Sequence, residues 1–188
     1  MRLLLAIAMC GLATAACAEP QARSGTAASL ARVACVDTDM DRAALASLAA
    51  EKGWSELLFR ATADGPQWGV GYGVGAARVM LTGTDSTSEQ RSESDRPVLR
   101  PAQRACSVEL GNPEGDWRAE IAALAADLDY SADLGPALSE GDPREGREWS
   151  RNGKGLLRMV YNPATGVLNV ALVRITDPEI RLLPSTNE

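Results

Sequence analysis

Cys35 and Cys106 do more than any other pair of residues to limit how this chain can fold. They are the only cysteines beyond residue 18, and each stands just ahead of an alanine-rich stretch. What they do depends on the segment before them. Residues 1–18, MRLLLAIAMCGLATAACA, set one positive charge, Arg2, ahead of an apolar run from Leu3 to Ala16, and small residues follow at once. That is the layout of a secretory signal. The run falls short of the roughly 20 apolar residues that a permanent membrane span needs. An exported domain matures in an oxidising compartment, where an even number of cysteines reads as a disulfide. A Cys35–Cys106 bridge is therefore expected. Closing so long a loop constrains the unfolded chain by about 4 kcal/mol in the chain-entropy model.

The leader can end in two ways. Ala16-Cys17-Ala18, ahead of Glu19-Pro20, fits the small-x-small rule for cleavage after Ala18. Thr14-Ala15-Ala16-Cys17 resembles a bacterial lipobox, in which the cysteine is lipidated and becomes the first mature residue. Thr14 stands where that pattern usually has a large aliphatic residue. Both readings stay open. Both place one domain, residues 19–188, in the periplasm, either free or held to an envelope membrane by lipid on Cys17.

Composition removes whole classes of chemistry. The chain has 25 acidic against 19 basic residues, and loss of Arg2 with the leader makes it more acidic still. Such a charge repels phosphate backbones and anionic lipid, so nucleic acid is not an expected partner. There is no histidine, which excludes Ser-His-Asp and Cys-His catalysis and imidazole-bound zinc. Lys52 and Lys154 are the only lysines, and no G-x-x-x-x-G-K-[ST] phosphate loop occurs. Any catalysis would have to rest on carboxylates.

The chain also rhymes with itself. Ala46–Trp54 reads ASLAAEKGW and Ala122–Tyr130 reads AALAADLDY, with Leu48 matching Leu124. Cys35 matches Cys106 upstream; Trp68 matches Trp149, Gly73 Gly153, Gly75 Gly155 and Arg78 Arg158 downstream. The offset grows from 71 at the cysteines to 76 in the alanine-rich stretches and 80 at the arginines. A few insertions in the second copy would produce that drift, so two duplicated halves, about 33–110 and 104–176, are expected.

Each half should carry one helix. The first is expected over Met40–Lys52, opened by a Thr38-x-x-Asp41 capping box and stopped by Gly53. The second is expected over Pro113–Asp129, capped by Asn112. Trp117, Ile121, Leu124 and Leu128 form its buried stripe, and Leu48 should lie equally deep in the first helix. Leu156–Tyr161 and Val167–Ile175 predict a hairpin around Asn162-Pro163-Ala164-Thr165-Gly166. Ala77–Thr82 should pair likewise with Arg104–Leu110 across a polar, mobile loop, Gly83–Gln103. Ser131–Arg147 reads as a second loop. The expected fold is α+β: two helices on one face of a mostly antiparallel sheet.

Three motifs invite a functional reading. Gly69-Val70-Gly71-Tyr72-Gly73-Val74-Gly75 contains Gly-x-Gly, yet a strand rather than a helix follows it, so it reads as a strand with one bare face and not as a dinucleotide loop. Asp37-Thr38-Asp39-Met40-Asp41 alternates acids as a calcium loop does, but Arg42 replaces the necessary glycine and Leu48 the bidentate glutamate.

Asp37-x-Asp39 after the apolar run Val33–Val36 resembles the nucleophile motif of haloacid-dehalogenase-type phosphatases, and Val79-Met80-Leu81-Thr82-Gly83 resembles that family's second motif. The resemblance implies a parallel sheet, Asp37 attacking phosphorus, Asp39 as acid and base, and magnesium between them. Asp41 stands where Thr or Val is usual, Lys154 is the available lysine, and no acidic fourth motif follows. The first expectation is therefore a non-catalytic envelope protein without cofactor that binds a protein partner or small ligand. The alternative is a carboxylate-based hydrolase, in its sharpest form a magnesium-dependent phosphatase using Asp37 and Asp39.

Overall fold

The computed structural model describes residues 26–58, 67–91 and 97–177; the expected leader, with Cys17 and both expected cleavage points, lies outside them. The chain runs through helix α1 (Ala27–Ala31), a π-helical turn (Arg32–Val36) and helix α2 (Arg42–Lys52). Strands β1 (Ser55–Leu57), β2 (Gln67–Val74), β3 (Ala77–Thr84), β4 (Ser88–Arg91), β5 (Pro97–Arg100) and β6 (Gln103–Gly111) follow. Helix α3 (Trp117–Asp127) leads to β7 (Ala132–Gly135), β8 (Glu145–Arg151), β9 (Gly155–Asn162) and β10 (Val167–Ile175). Eight strands form one antiparallel sheet in the order β1-β2-β3-β6-β10-β9-β8-β7, while β4 and β5 pair apart from it. The fold is mixed α+β.

Period-two alternation decides which side of the sheet is buried. β6 turns Cys106, Val108 and Leu110 inward and Ala105, Ser107 and Glu109 outward. β10 turns Leu168, Val170 and Leu172 to the same inner face. Leu81, Cys106, Leu172 and Leu157 are direct partners across four strands, and all are buried. Leu30 of α1 and Ala34 of the π-helical turn, Leu45 and Ala49 of α2, and Ile121 and Leu124 of α3 join them in one core.

The π-helical turn sets the depth of Cys35. Its widened ladder bonds the Asp37 N–H to the Arg32 carbonyl at 2.9 Å and the Met40 N–H to the Cys35 carbonyl at 3.0 Å. Cys35 is bonded to Cys106 of a central strand, with the Cα atoms 5.6 Å apart. The bridge ties the first helical segment to the middle of the sheet.

Several expectations need correction. Among the described residues there are three α-helices, not two, because Ala27–Ala31 and its π extension lie ahead of the alanine-rich stretches. α2 begins at Arg42 and is capped by Asp41, whose carboxylate accepts from the Ala43 and Ala44 N–H groups, each at 2.9 Å. Thr38 is buried instead and donates to the Ala34 carbonyl at 2.6 Å, so it closes the preceding turn and is no cap. α3 begins at Trp117 and is capped by Asp116, not Asn112. Asn112 has a positive φ, and its N–H donates to the Gly166 carbonyl at 2.6 Å.

Both expected loops hold strands. Gly83–Gln103 contains the β4–β5 ladder, and Ser131–Arg147 contains β7 and the start of β8. Leu124 is buried as expected, but Leu48 is only half-buried; the deep residue of α2 is Leu45.

The two hairpins match the expectation. β9 and β10 pair from Asn162–Val167 to Gly155–Arg174 around a turn in which Gly166 takes φ 66°. β3 pairs with β6 from Ala77–Leu110 to Thr84–Gln103. The glycine-alternating stretch is strand β2, as its pattern requires. Its bare face admits side chains of the neighbouring edge strand: a Cβ on Gly73 would lie 2.6 Å from Ser55 Oγ.

Read from either edge, the sheet has the same connectivity. A helix precedes a run of four neighbouring strands, α2 before β1-β2-β3-β6 and α3 before β7-β8-β9-β10, and the last strands of the runs meet antiparallel at the centre. Both helices also end alike. Trp54 N–H donates to Ala49 at 2.9 Å after a left-handed Gly53, and Tyr130 N–H donates to Ala125 at 2.9 Å after a left-handed Asp129. The tryptophans do not correspond. Trp68 stands opposite Gly83, whereas Trp149 stands opposite Leu157, at the place Tyr72 holds opposite Val79.

Candidate functional site

A cavity of about 290 Å³ opens between α3 and the β7–β8 end of the sheet. Trp149 and Met159, both buried, make its apolar floor, and Ala122 of α3 and Pro136 line its sides. Period two places Glu145, Arg147 and Trp149 of β8 on the inner face, opposite Tyr161, Met159 and Leu157. The sheet's inner face therefore turns charged where it leaves the core.

Each charge there has a partner. Arg118, in the first turn of α3, donates from Nε at 2.6 Å and Nη2 at 2.5 Å to the two oxygens of Glu145. Arg147 donates from Nε and Nη2 to Asp133 of β7, whose carboxylate also accepts from the Gly135 N–H at 3.0 Å. The Arg118 guanidinium lies 4.0 Å from the Trp117 ring centroid, and Arg147 lies 5.7 Å from that of Trp149. Both distances suit cation–π contact. Fork-to-fork pairing fixes the planes of both guanidiniums.

The acids respond as paired groups do. The hydrogen bond from Arg118 holds the Glu145 carboxyl below its ordinary range. Asp133 is held down first by the Arg147 hydrogen bond and then by the Gly135 N–H. Both carboxylates are thus kept ionised. A general acid at neutral pH needs the opposite, a carboxyl raised by burial or by a neighbouring anion.

The Asp37–Asp41 segment is arranged for structure. Val33–Val36, which a phosphatase nucleophile motif needs as a strand, is helical, and the sheet it would belong to is antiparallel. Asp39 bonds to Arg174, whose hydrogen bond holds its carboxyl below the ordinary range. Asp41 is spent on the N-terminus of α2. Val79–Gly83 lies inside β3, between β2 and β6. Of the two carboxylates that would hold magnesium, Asp39 is committed to Arg174, and Asp37 stands exposed after a π-helical turn instead of at the end of a strand, so the pair does not fit the ion as the resemblance requires. Among the described residues, no three Asp, Glu, Cys or His side chains form a group suited to a metal.

Cys35 and Cys106 are brought together as expected, and Cys17 lies outside the described residues. The sequence reading missed Arg118, Asp133, Glu145 and Arg147 because three of them fall in the stretch taken for a loop. Their signal was the alternation Glu145-x-Arg147-x-Trp149, a strand period with charge where apolar residues usually mark the inner face. No protein family, curated protein or solved structure matches this chain.

Proposed function

We propose that the chain is an exported, non-catalytic binding protein of the bacterial envelope, with the α3–β8 cavity as its ligand site. The observation that carries this reading is the pairing at that cavity: an apolar floor, two oriented guanidiniums, and carboxylates held ionised by them. Sites of this kind, mostly apolar with a few placed polar groups, suit recognition of a small molecule. The phosphatase alternative ranks second, since Asp39 is spent on Arg174 and Asp37 follows a helical turn in place of the strand that reading needs.

The finer features belong to the same proposal. The equal strand runs and the shared bonding at the ends of α2 and α3 support a duplication of two halves. The leader and the buried disulfide support the periplasm, with cleavage either after Ala18 or before a lipidated Cys17; intact mass of the envelope form separates these two.

A thermal-shift screen of small metabolites on the exported protein tests the reading. Compounds that raise Tm should lose their effect in Ala122→Trp, whose indole would fill the cavity mouth. Release of phosphate from a generic phosphoester with magnesium, abolished in Asp37→Asn, would put the phosphatase reading first.

A further inference from the structure

The cavity keeps unused bonding capacity of both signs. Arg118 and Arg147 each spend Nε and Nη2 on their carboxylate partners. A guanidinium carries five N–H donors, so the Nη1 end of each is left over, and a carboxylate has about four acceptor positions. Among the described residues, Glu145 accepts only from Arg118, one bond to each oxygen. The site therefore offers donors at Arg147 and an acceptor at Glu145, two places apart on the same face of β8.

Charge and size narrow the ligand. Two arginines and two carboxylates cancel, so a simple anion or cation would leave the site with an unmatched charge, whereas a ligand carrying both signs would not. The volume of about 290 Å³ is roughly ten times a water's share of the liquid, room for about ten non-hydrogen atoms. Residues two apart on a strand are separated by about 6.6 Å. That is a spacing between backbones; the side-chain ends of Arg147 and Glu145 both line the cavity, within reach of one small ligand that makes a hydrogen bond of about 2.9 Å to each.

We infer that the cavity binds a zwitterion with an apolar body: a free α-amino acid with an aliphatic or aromatic side chain. Its carboxylate takes the Nη1 end of Arg147, its ammonium donates to Glu145, and its side chain lies on Trp149 and Met159. The neighbouring Arg118 keeps Glu145 ionised and in place. The assignment rests on the binding reading above and names its ligand class. For a ligand this small, a dissociation constant on the order of 100 μM is expected.

Titration calorimetry of the exported protein with L-leucine, L-phenylalanine, N-acetyl-L-leucine, L-leucinamide and isocaproate tests it. Leucine or phenylalanine should bind, and loss of either charge from the ligand should weaken binding at least tenfold. Glu145→Gln should weaken leucine at least fivefold and leave the residual binding of N-acetyl-leucine unchanged. Arg147→Gln should weaken leucine and leave leucinamide unchanged. Both side chains are exposed, and circular dichroism confirms that the variants fold. Equal binding of isocaproate and leucine would overturn the zwitterion assignment while the binding reading survives. The same holds if the compounds lost in Ala122→Trp carry no ammonium and carboxylate pair. If no amino acid binds and no compound in the screen depends on Ala122, both fall together.

Discussion

Arg104 and Arg174 lie directly opposite each other on the two central strands, and both reach the same loop, Asp39 to Asp41. Like charges in direct register are destabilising. The loop offsets this: Asp39 bonds to Arg174, the Met40 carbonyl accepts from Arg104 at 3.2 Å, and Asp41 stands 3.9 Å from Arg104. Two of the acids in the Asp37–Asp41 segment, with the Met40 carbonyl between them, thus close a pair of arginines at the end of the sheet.

The Arg174–Asp39 contact is expected to be worth more through its backbone half than through its charge. Arg174 also donates to the Asp39 carbonyl at 2.6 Å. Asp39 has a positive φ, which asparagine tolerates, so Asp39→Asn isolates the charge. That change should cost less than about 0.5 kcal/mol, as exposed ion pairs do. Arg174→Gln removes both bonds and should cost about 1–2 kcal/mol. Urea unfolding of the two variants and their double mutant checks the order.

The Cys35–Cys106 bridge closes a separation of 71 residues between a helical turn and a central strand. Replacing both cysteines by alanine should lower stability by about 2–4 kcal/mol. Thiol alkylation of the native protein followed by mass analysis should find neither cysteine modified.

Depth in the two long helices is uneven, and mutation should report it. Leu45 and Ile121 are fully buried; Leu45→Ala and Ile121→Ala should each cost about 2–5 kcal/mol. Leu48 is half-buried, and Leu48→Ala should cost roughly 1 kcal/mol. Equal losses at Leu45 and Leu48 would place a different face of α2 against the sheet.

What the sequence made legible follows from how strong the periodicity is. The β9–β10 hairpin and α3 announce themselves because apolar residues recur at the right spacing and Asn162-Pro163 and Gly166 mark the turn. The Leu48–Leu124 match falls on two helices, α2 and α3, but does not give their depth, since an alanine-rich helix gives little contrast between faces. α1 escaped for the same reason: Ala27-Ala28-Ser29-Leu30-Ala31 has one large side chain. β7 and β8 escaped because their inward positions carry Asp133, Glu145 and Arg147. The candidate site was hidden by the feature that makes it one, charge on the inner face of a strand.

The β4–β5 ladder stands apart from the main sheet. Its base is tied by Thr87, which bonds to Asp177 and accepts from the Ala102 N–H at 3.1 Å. Replacing residues 88–100 with a short Gly-Ser link keeps Thr87 and Ala102, and loop length enters closure entropy only logarithmically. Tm should therefore stay within a few degrees of the parent. A cooperative loss of structure on that replacement would mean that the ladder packs on the main domain.

Stability should hold across neutral pH and fall on both sides for different reasons. There is no histidine to titrate between pH 5 and 8. Asp39, Asp133 and Glu145 are depressed, each chiefly by a hydrogen bond from its arginine, and the hydrogen bonds of Arg144 hold Asp142 down to about 2. A depressed carboxylate is ionised more readily in the folded chain, so its contribution is complete above the ordinary values of 3.8 and 4.5 and is lost as pH falls through the folded value. Because these pairs are exposed, the acid loss should be shallow, beginning below about pH 4.5. Tyr130 behaves oppositely. Burial raises its phenol above the ordinary 10.0, so its neutral form favours the fold below that value, and this contribution disappears as the folded phenol ionises. Thermal melts from pH 2 to 11 should show a plateau between about 5 and 9, a shallow fall on the acid side and a decline above about pH 10. Tyr130→Phe should flatten that decline while leaving the acid side unchanged, and an unchanged alkaline decline in this variant would remove Tyr130 as its cause.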